Sequence, residues 1–231
     1  MAGHDGCADR PEEYQMKIGI IGAGNIGGNL TRRLTAAGHD VAVANSRGPA
    51  TLADLAAETG ATAVAVTQAA QGADVVIVTI PQKNVPDLPA GLLEDAPVVV
   101  DTGNYYPQQR DGRIAEIEDG APESAWVAAQ LGRTVVKAFN GIYAAELLDG
   151  GRPAGAADRR ALPIAGDDEA AKQVVVALLD DLGFDAVDAG SLQDSWRQQP
   201  GTPVYGASAG ADGIRELLAK ASPERTADWR A

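Results

Sequence analysis

The sequence predicts an α/β fold built on a doubly wound parallel sheet, with a small C-terminal α/β extension. Three observations lead there. Strand-like apolar runs alternate with helix-like patterns along most of the 231 residues, as a parallel sheet with crossover helices requires. The first apolar run, Lys17-Ile18-Gly19-Ile20-Ile21, feeds straight into Gly22-Ala23-Gly24-Asn25-Ile26-Gly27, a G-x-G-x-x-G turn that opens a helix. A second run, Val41-Ala42-Val43-Ala44, follows at the distance of one βαβ unit.

The elements can be justified in order. Ile26, Leu30, Leu34 and Ala37 recur at helical spacing until Gly38 stops the run. Residues 51–58 read as a helix closed by Gly60, and 61–66 as a weak third strand. The fourth strand, 75–80, is continuously apolar and therefore buried, and Pro81 ends it; Pro86 and Pro89 make the next connection irregular. Residues 97–101 and 134–139 supply a fifth and a sixth strand, separated by a polar loop and a helix over 124–131. The pattern loosens after Asn140 through a glycine-rich surface loop at 150–155. A short strand at 162–165 then precedes a helix whose Ala171, Val174, Val175, Leu178, Leu179 and Leu182 share one face, with Gly183 at its end. Residues 186–189 close another βαβ-like unit. The apolar face in Ile214-Arg215-Glu216-Leu217-Leu218 can pack on the chain's own sheet or serve a homodimer.

The glycine turn carries the chemistry. Gly22 permits the tight strand-to-helix turn, Gly24 lets backbone approach a pyrophosphate, and Gly27 lets helix and strand pack closely. The anion then sits on the unpaired N–H groups of the helix start, so Asn25 and Ile26 join the binding set. At the end of the second strand an NAD-specific site usually places an acid on the ribose hydroxyls. This chain reads Asn45-Ser46-Arg47-Gly48-Pro49 instead. A hydroxyl and a guanidinium there favour NADPH, with Arg47 stacking on adenine and donating to the 2′-phosphate. The chain thus divides into a loose tail at 1–15, a Rossmann-type NADP-binding domain at 16–145, and an extension at 146–231 packed on it.

Composition narrows the function further. The formal net charge of −13 repels nucleic acid and anionic membranes, and the longest apolar runs are only strand-sized. The N-terminus has no hydrophobic segment resembling a signal peptide, and the single thiol, Cys7, excludes an intramolecular disulfide and a cysteine metal cluster. A cytoplasmic protein is expected. The two histidines, His4 and His39, lie in the tail and at a helix-to-strand junction away from the chemical end of the sheet, so neither a Ser-His-Asp apparatus nor a histidine metal site is expected.

The glycine turn, Asn45-Ser46-Arg47, Thr79-Ile80-Pro81, Val136-Lys137-Ala138-Phe139-Asn140 and Ala165-Gly166-Asp167-Asp168-Glu169, followed by Asp188-Ala189-Gly190, together resemble one family. It is the family of NADP-dependent oxidoreductases grouped with NADPH:coenzyme F420 reductase and, more distantly, with the cytosolic domain of membrane metalloreductases. The resemblance covers nearly everything after the tail. It implies hydride exchange between NADPH and a deazaflavin, coenzyme F420, with the nicotinamide near Ile80, Pro81, Ala138 and Asn140, and it implies a dimer. On this reading Thr79 and Pro81 shape the nicotinamide pocket. Ala138 and Asn140 hold the carboxamide or the acceptor, and the segment from Trp196 to Tyr205 lines the acceptor cavity. Two features depart from the family. The turn reads Gly22-Ala23-Gly24-Asn25 where deazaflavin reducers carry a Gly-Gly-Thr-Gly type, and the 196–205 segment is unlike theirs. A flavin, a quinone-like compound or a small imine or carbonyl therefore stands beside the deazaflavin as acceptor. For an imine or carbonyl the proton would come from Tyr105, Tyr106, Tyr143 or Asp101. A non-catalytic NADPH-binding module is the remaining alternative.

Overall fold

Strand β1, Lys17–Ile21, is the centre of the molecule, buried at every position but the first. The structure, a computed structural model, describes residues 15–231, so most of the predicted tail, with His4 and Cys7, lies outside the described residues. Helix α1 (Asn25–Ala36) leads to β2 (Asp40–Ala44), α2 (Ala53–Thr59) and β3 (Thr62–Ala63), then to β4 (Val75–Val78) and β5 (Val98–Asp101). Next come α3 (Ala115–Glu118), α4 (Glu123–Leu131), β6 (Val136–Lys137) and α5 (Ala144–Asp149). The chain ends with β7 (Ala161–Ile164), α6 (Glu169–Asp181), β8 (Asp185–Asp188) and α7 (Ala211–Ala219).

Six strands form one parallel sheet in the order β3-β2-β1-β4-β5-β6. The order reverses between β1 and β4, which opens a crevice at the carboxyl ends of these strands. Successive side chains of a strand point to opposite faces. Val75 and Ile77 accordingly join the core beneath α1 and α6, while Val76 and Val78 pack with Val99 and Ala69 on the other face. This two-sided burial is why β4 and β5 read as unbroken apolar runs. The first of these cores runs from Ile18 to Phe184, crossing residue 145 without a break.

The extension pairs β7 with β8 in parallel through α6, as the periodicity predicts. It joins the main sheet at one antiparallel bridge, with Lys137 N–H donating to the Ala165 carbonyl at 2.8 Å and Ala165 N–H returning at 3.1 Å. The Asp168 carboxylate caps α6 by accepting from Ala171 N–H at 3.0 Å. The apolar face of α7 is used inside the chain, where Ile214 and Leu218 are buried with Ala161, Val187 and Val204. His39 sits at the amino end of the strands, buried between the Met16 N–H and the Asp181 carboxylate, 3.1 Å from Nε2.

Several boundaries differ from the sequence reading. The expected helix at 51–58 is a 3₁₀ turn, Pro49–Leu52, followed by α2 and closed by Gly60 at φ +81°. The third strand keeps only two residues, because it is an edge strand paired to Ala42 and Val43 alone. The sixth is equally short. Ala138 N–H still donates to the Asp101 carbonyl at 3.1 Å, but Phe139 then takes φ +60° and the chain leaves the sheet. Helices α3 and α5 span four and six residues, too short for periodicity to reveal. Among the described residues no helix is long and apolar enough to cross a membrane.

Candidate active site

At the carboxyl end of β1 the glycine turn has the geometry its spacing predicts. Gly22 has φ +109°, and a Cβ there would stand 2.2 Å from the Thr79 carbonyl oxygen. A Cβ on Gly27 would stand 1.9 Å from the Gly22 carbonyl oxygen and 2.7 Å from Thr79 Cγ2, so the first turn of α1 is seated directly on the strand ends. Gly24 is different: a Cβ there would meet nothing within 4 Å and would project into open space. It is also the N-cap of α1, with no side-chain cap and no acid in the helix's first turn. Asn25 and Ile26 are the first two helical residues. The helix therefore presents uncapped N–H groups, which suit an oxyanion.

The loop after β2 is held by its own side chains. Asn45 Oδ1 accepts from Arg47 N–H at 2.9 Å, and Asn45 Nδ2 donates to Thr51 Oγ1 at 2.9 Å. Asn45 is thus a loop-building residue as well as a wall of the site. Ser46 and Arg47 are exposed, and the Arg47 side chain has no hydrogen-bond or ionic partner among the described residues. A cavity of about 640 Å³ connects the two features, lined by Gly22, Gly24, Asn45, Ser46, Arg47, Thr79, Ile80 and Pro81. Its remaining wall comes from Ile21 and Ala23 beside the glycine turn, from Val66 after β3 and from Asn84, Asp87, Leu88 and Pro89 after β4.

Beyond β5 and β6 lies a buried polar network. Asp101 accepts from Lys137 Nζ at 3.1 Å, Ser124 Oγ at 2.6 Å and Gly103 N–H at 2.8 Å. Lys137 also donates to the Gly103 carbonyl. Asn140 Nδ2 donates to the Gln198 carbonyl at 2.6 Å and to Asn104 Oδ1 at 3.0 Å, and its Oδ1 accepts from Gln198 Nε2 at 3.0 Å. Gln82, the first residue of the 3₁₀ turn after β4, is fully buried, and neither amide atom has a partner among the described residues. Further out, the hydroxyls of Tyr106 and Tyr205 share a short hydrogen bond. Trp229 packs on both rings, with centroids 5.8 and 6.1 Å away. Burial, and then the Tyr106 hydroxyl, push the Tyr205 hydroxyl well above the ordinary tyrosine range, so it stays protonated.

Residues 17–105 match the family described as NADP oxidoreductase, coenzyme F420-dependent. The hypothetical protein SMa0349 of Sinorhizobium meliloti, a solved structure, is 32% identical, over 86% of this chain and 96% of its own, with a TM-score of 0.71. This chain belongs to the coenzyme F420-dependent NADP oxidoreductase family. A solved protein from Arthrobacter sp. FB24, itself inferred to be an F420-dependent NADP reductase, is 26% identical. That likeness covers 77% of this chain and 86% of the other, with a TM-score of 0.64. The Escherichia coli K12 protein YjhV is 53% identical over 53 residues, which make up 23% of this chain and 39% of YjhV, so the match spans less than half of that relative.

Among the residues the family implies, the structure gathers Gly22, Gly24, Asn45, Ser46, Arg47, Thr79, Ile80 and Pro81 around one cavity. The residues present fit an NADP dinucleotide there, with open space over Gly24 beside uncapped helix N–H groups and a partner-free guanidinium at the end of β2. Ala138 and Asn140 are placed otherwise. Ala138 N–H is used by the Asp101 carbonyl, and the Asn140 amide is bound to Asn104 and Gln198, holding the 198–206 segment against the end of β6. Trp196 lines a different cavity, with Glu118, Gln199, Arg225 and Arg230, and carries the Arg197 guanidinium 4.7 Å above its ring. Two of the proposed proton donors are committed elsewhere. The Tyr105 hydroxyl donates to Glu118 and accepts from Ile114 N–H, both at 3.0 Å, and Asp101 is saturated by the Lys137 network. Tyr143 is 61% exposed. The sequence reading missed Asn84 and Asp87, because Pro86 and Pro89 mark an irregular connection in the sequence where the chain forms a 3₁₀ turn, Gln82–Asp87, and it missed Val66, which opens another short turn after β3.

Proposed function

We propose that this protein transfers a hydride between NADP(H) and a planar deazaflavin or flavin-like acceptor, in the cytoplasm. The observation that carries the proposal is the single cavity joining the uncapped start of α1 to Arg47, with no carboxylate at the end of β2. NADPH held there supplies a hydride and leaves as NADP+. Transfer to a ring of this kind needs close stacking and no protein nucleophile, which suits a site without histidine or cysteine. Gly22 and Gly24 offer backbone and Arg47 a guanidinium donor, and none of them takes part in the transfer. Their part is to fix the dinucleotide. Support for a planar acceptor comes from the aromatic cluster of Tyr106, Tyr205 and Trp229, which pack on one another. Tyr205 is tied to that edge, since Gly206 N–H donates to the Gly141 carbonyl at 3.1 Å.

A second reading rests on the paired hydroxyls of Tyr106 and Tyr205, which suit protonation of a small imine or carbonyl. A homodimer would use a surface other than the buried face of α7. The test is to mix purified protein with NADPH and, separately, a deazaflavin, a flavin, a quinone and an imine, and to follow NADPH absorbance. Oxidation with the deazaflavin or flavin is expected. Turnover with the imine alone favours the second reading, and tight NADPH binding without turnover on any acceptor leaves a non-catalytic binding module.

A further inference from the structure

We infer that Asp87 and Asn84 recognise the adenine base of the bound dinucleotide through its amino edge, an inference that rests on the NADPH reading above. The cavity is lined from the ends of β1, β2 and β4 and from Val66 after β3, with nothing contributed by β5 or β6. With the pyrophosphate on the glycine turn and the 2′-phosphate at Arg47, this is the adenosine half of the site. Its deep wall is apolar. Val66, Ile80 and Leu88 are partly buried against the core on one face of the sheet and offer a slot for a flat base.

The polar rim of that slot is one short turn. Gln82–Asp87 is a 3₁₀ helix, in which side chains three residues apart eclipse, so Asn84 and Asp87 project on the same side. Both are exposed, and neither side chain has a hydrogen-bond or ionic partner among the described residues. Asp87 is the one acid among the residues lining the cavity. A carboxylate facing a ligand with several phosphate charges, on a chain of net charge −13, is unfavourable unless a donor stands opposite it. At the adenosine end of the ligand the exocyclic amine of adenine is such a donor, and the N7 acceptor, which hypoxanthine keeps, lies beside it. An ionised carboxylate only accepts and an amide also donates, so Asp87 suits the amine and Asn84 the ring nitrogen. The Arg47 guanidinium, on the opposite rim, is left for the 2′-phosphate and the face of the base.

The test compares NADPH with its hypoxanthine analogue, which carries a carbonyl where adenine has the amine, by calorimetry on the wild-type protein and on Asp87→Asn. Wild type is expected to bind the analogue at least about tenfold more weakly than NADPH. In Asp87→Asn the new amide can donate to the carbonyl, and the gap should close to about threefold or less. Asn84→Ala should weaken NADPH while sparing the preference set by Asp87. Tight NADPH binding with equal affinity for the analogue, or a gap that survives Asp87→Asn, would overturn the inference alone. A wild-type protein that binds neither nucleotide would overturn the NADPH reading and this inference with it.

Discussion

Gly24 and Gly27 lie three residues apart in one turn, and replacing each by alanine should produce opposite failures. At Gly27 the added Cβ would stand 1.9 Å from the Gly22 carbonyl oxygen and 2.7 Å from Thr79 Cγ2, so backbone must move. Overpacking of this kind costs about 1–3 kcal/mol. For a chain of this size that lowers Tm by about 2–12 °C without any ligand. At Gly24 the Cβ would meet nothing within 4 Å, and φ −76°, ψ −161° suits alanine. The ligand-free protein then loses only a favourable N-cap residue, about 0.5–1 kcal/mol. The methyl group would instead occupy the space a phosphate needs to reach the helix N–H groups. Losing one charge-assisted hydrogen bond costs about 1.5–3 kcal/mol, or roughly ten- to hundredfold in Kd for NADPH. Calorimetric titration and thermal melts of both variants separate the two effects. If Gly24→Ala bound NADPH as the wild type does, the phosphates would not pass over this turn, and if it melted well before Gly27→Ala, the space over Gly24 would not be open.

Two further outcomes follow from the network beyond β5. Lys137→Met would leave the buried Asp101 carboxylate with only Ser124 and the Gly103 N–H, and should lower stability in urea by about 3–5 kcal/mol; a loss below about 1 kcal/mol would contradict this. Tyr105→Phe should reduce stability through the bonds lost to Glu118 and Ile114 while leaving turnover unchanged, whereas Tyr106→Phe or Tyr205→Phe should slow turnover of an imine and spare that of a deazaflavin.

The central sheet was legible because its signals are local. Ile18 to Ile21 and Val75 to Val78 are buried on both faces, so their apolar runs survive in the sequence, and Gly22, Gly24 and Gly27 mark a turn whose steric demands are visible residue by residue. Asn45, Ser46 and Arg47 line the cavity at the expected point of the chain for the same reason, since one βαβ unit fixes where the second strand ends. The acceptor side was less legible. Whether Asn140 faces a ligand or Gln198 depends on a contact across 58 residues, and Trp196 and Tyr205, nine positions apart, serve different surroundings because the intervening chain turns through a 3₁₀ helix and loops. Trp229 joins Tyr106 only through the fold of the C-terminal segment, which carries no motif.

The account turns on Arg47. Its side chain is exposed and without a partner among the described residues, and the loop beneath it is held by Asn45 and Thr51, so Arg47→Ala should leave the fold intact. Calorimetry with NADPH and with NADH on wild type and this variant is the most direct measurement. NADPH affinity should fall by about ten- to hundredfold and NADH affinity should barely change. Equal losses for both nucleotides, or a wild-type protein that binds them equally well, would contradict the account.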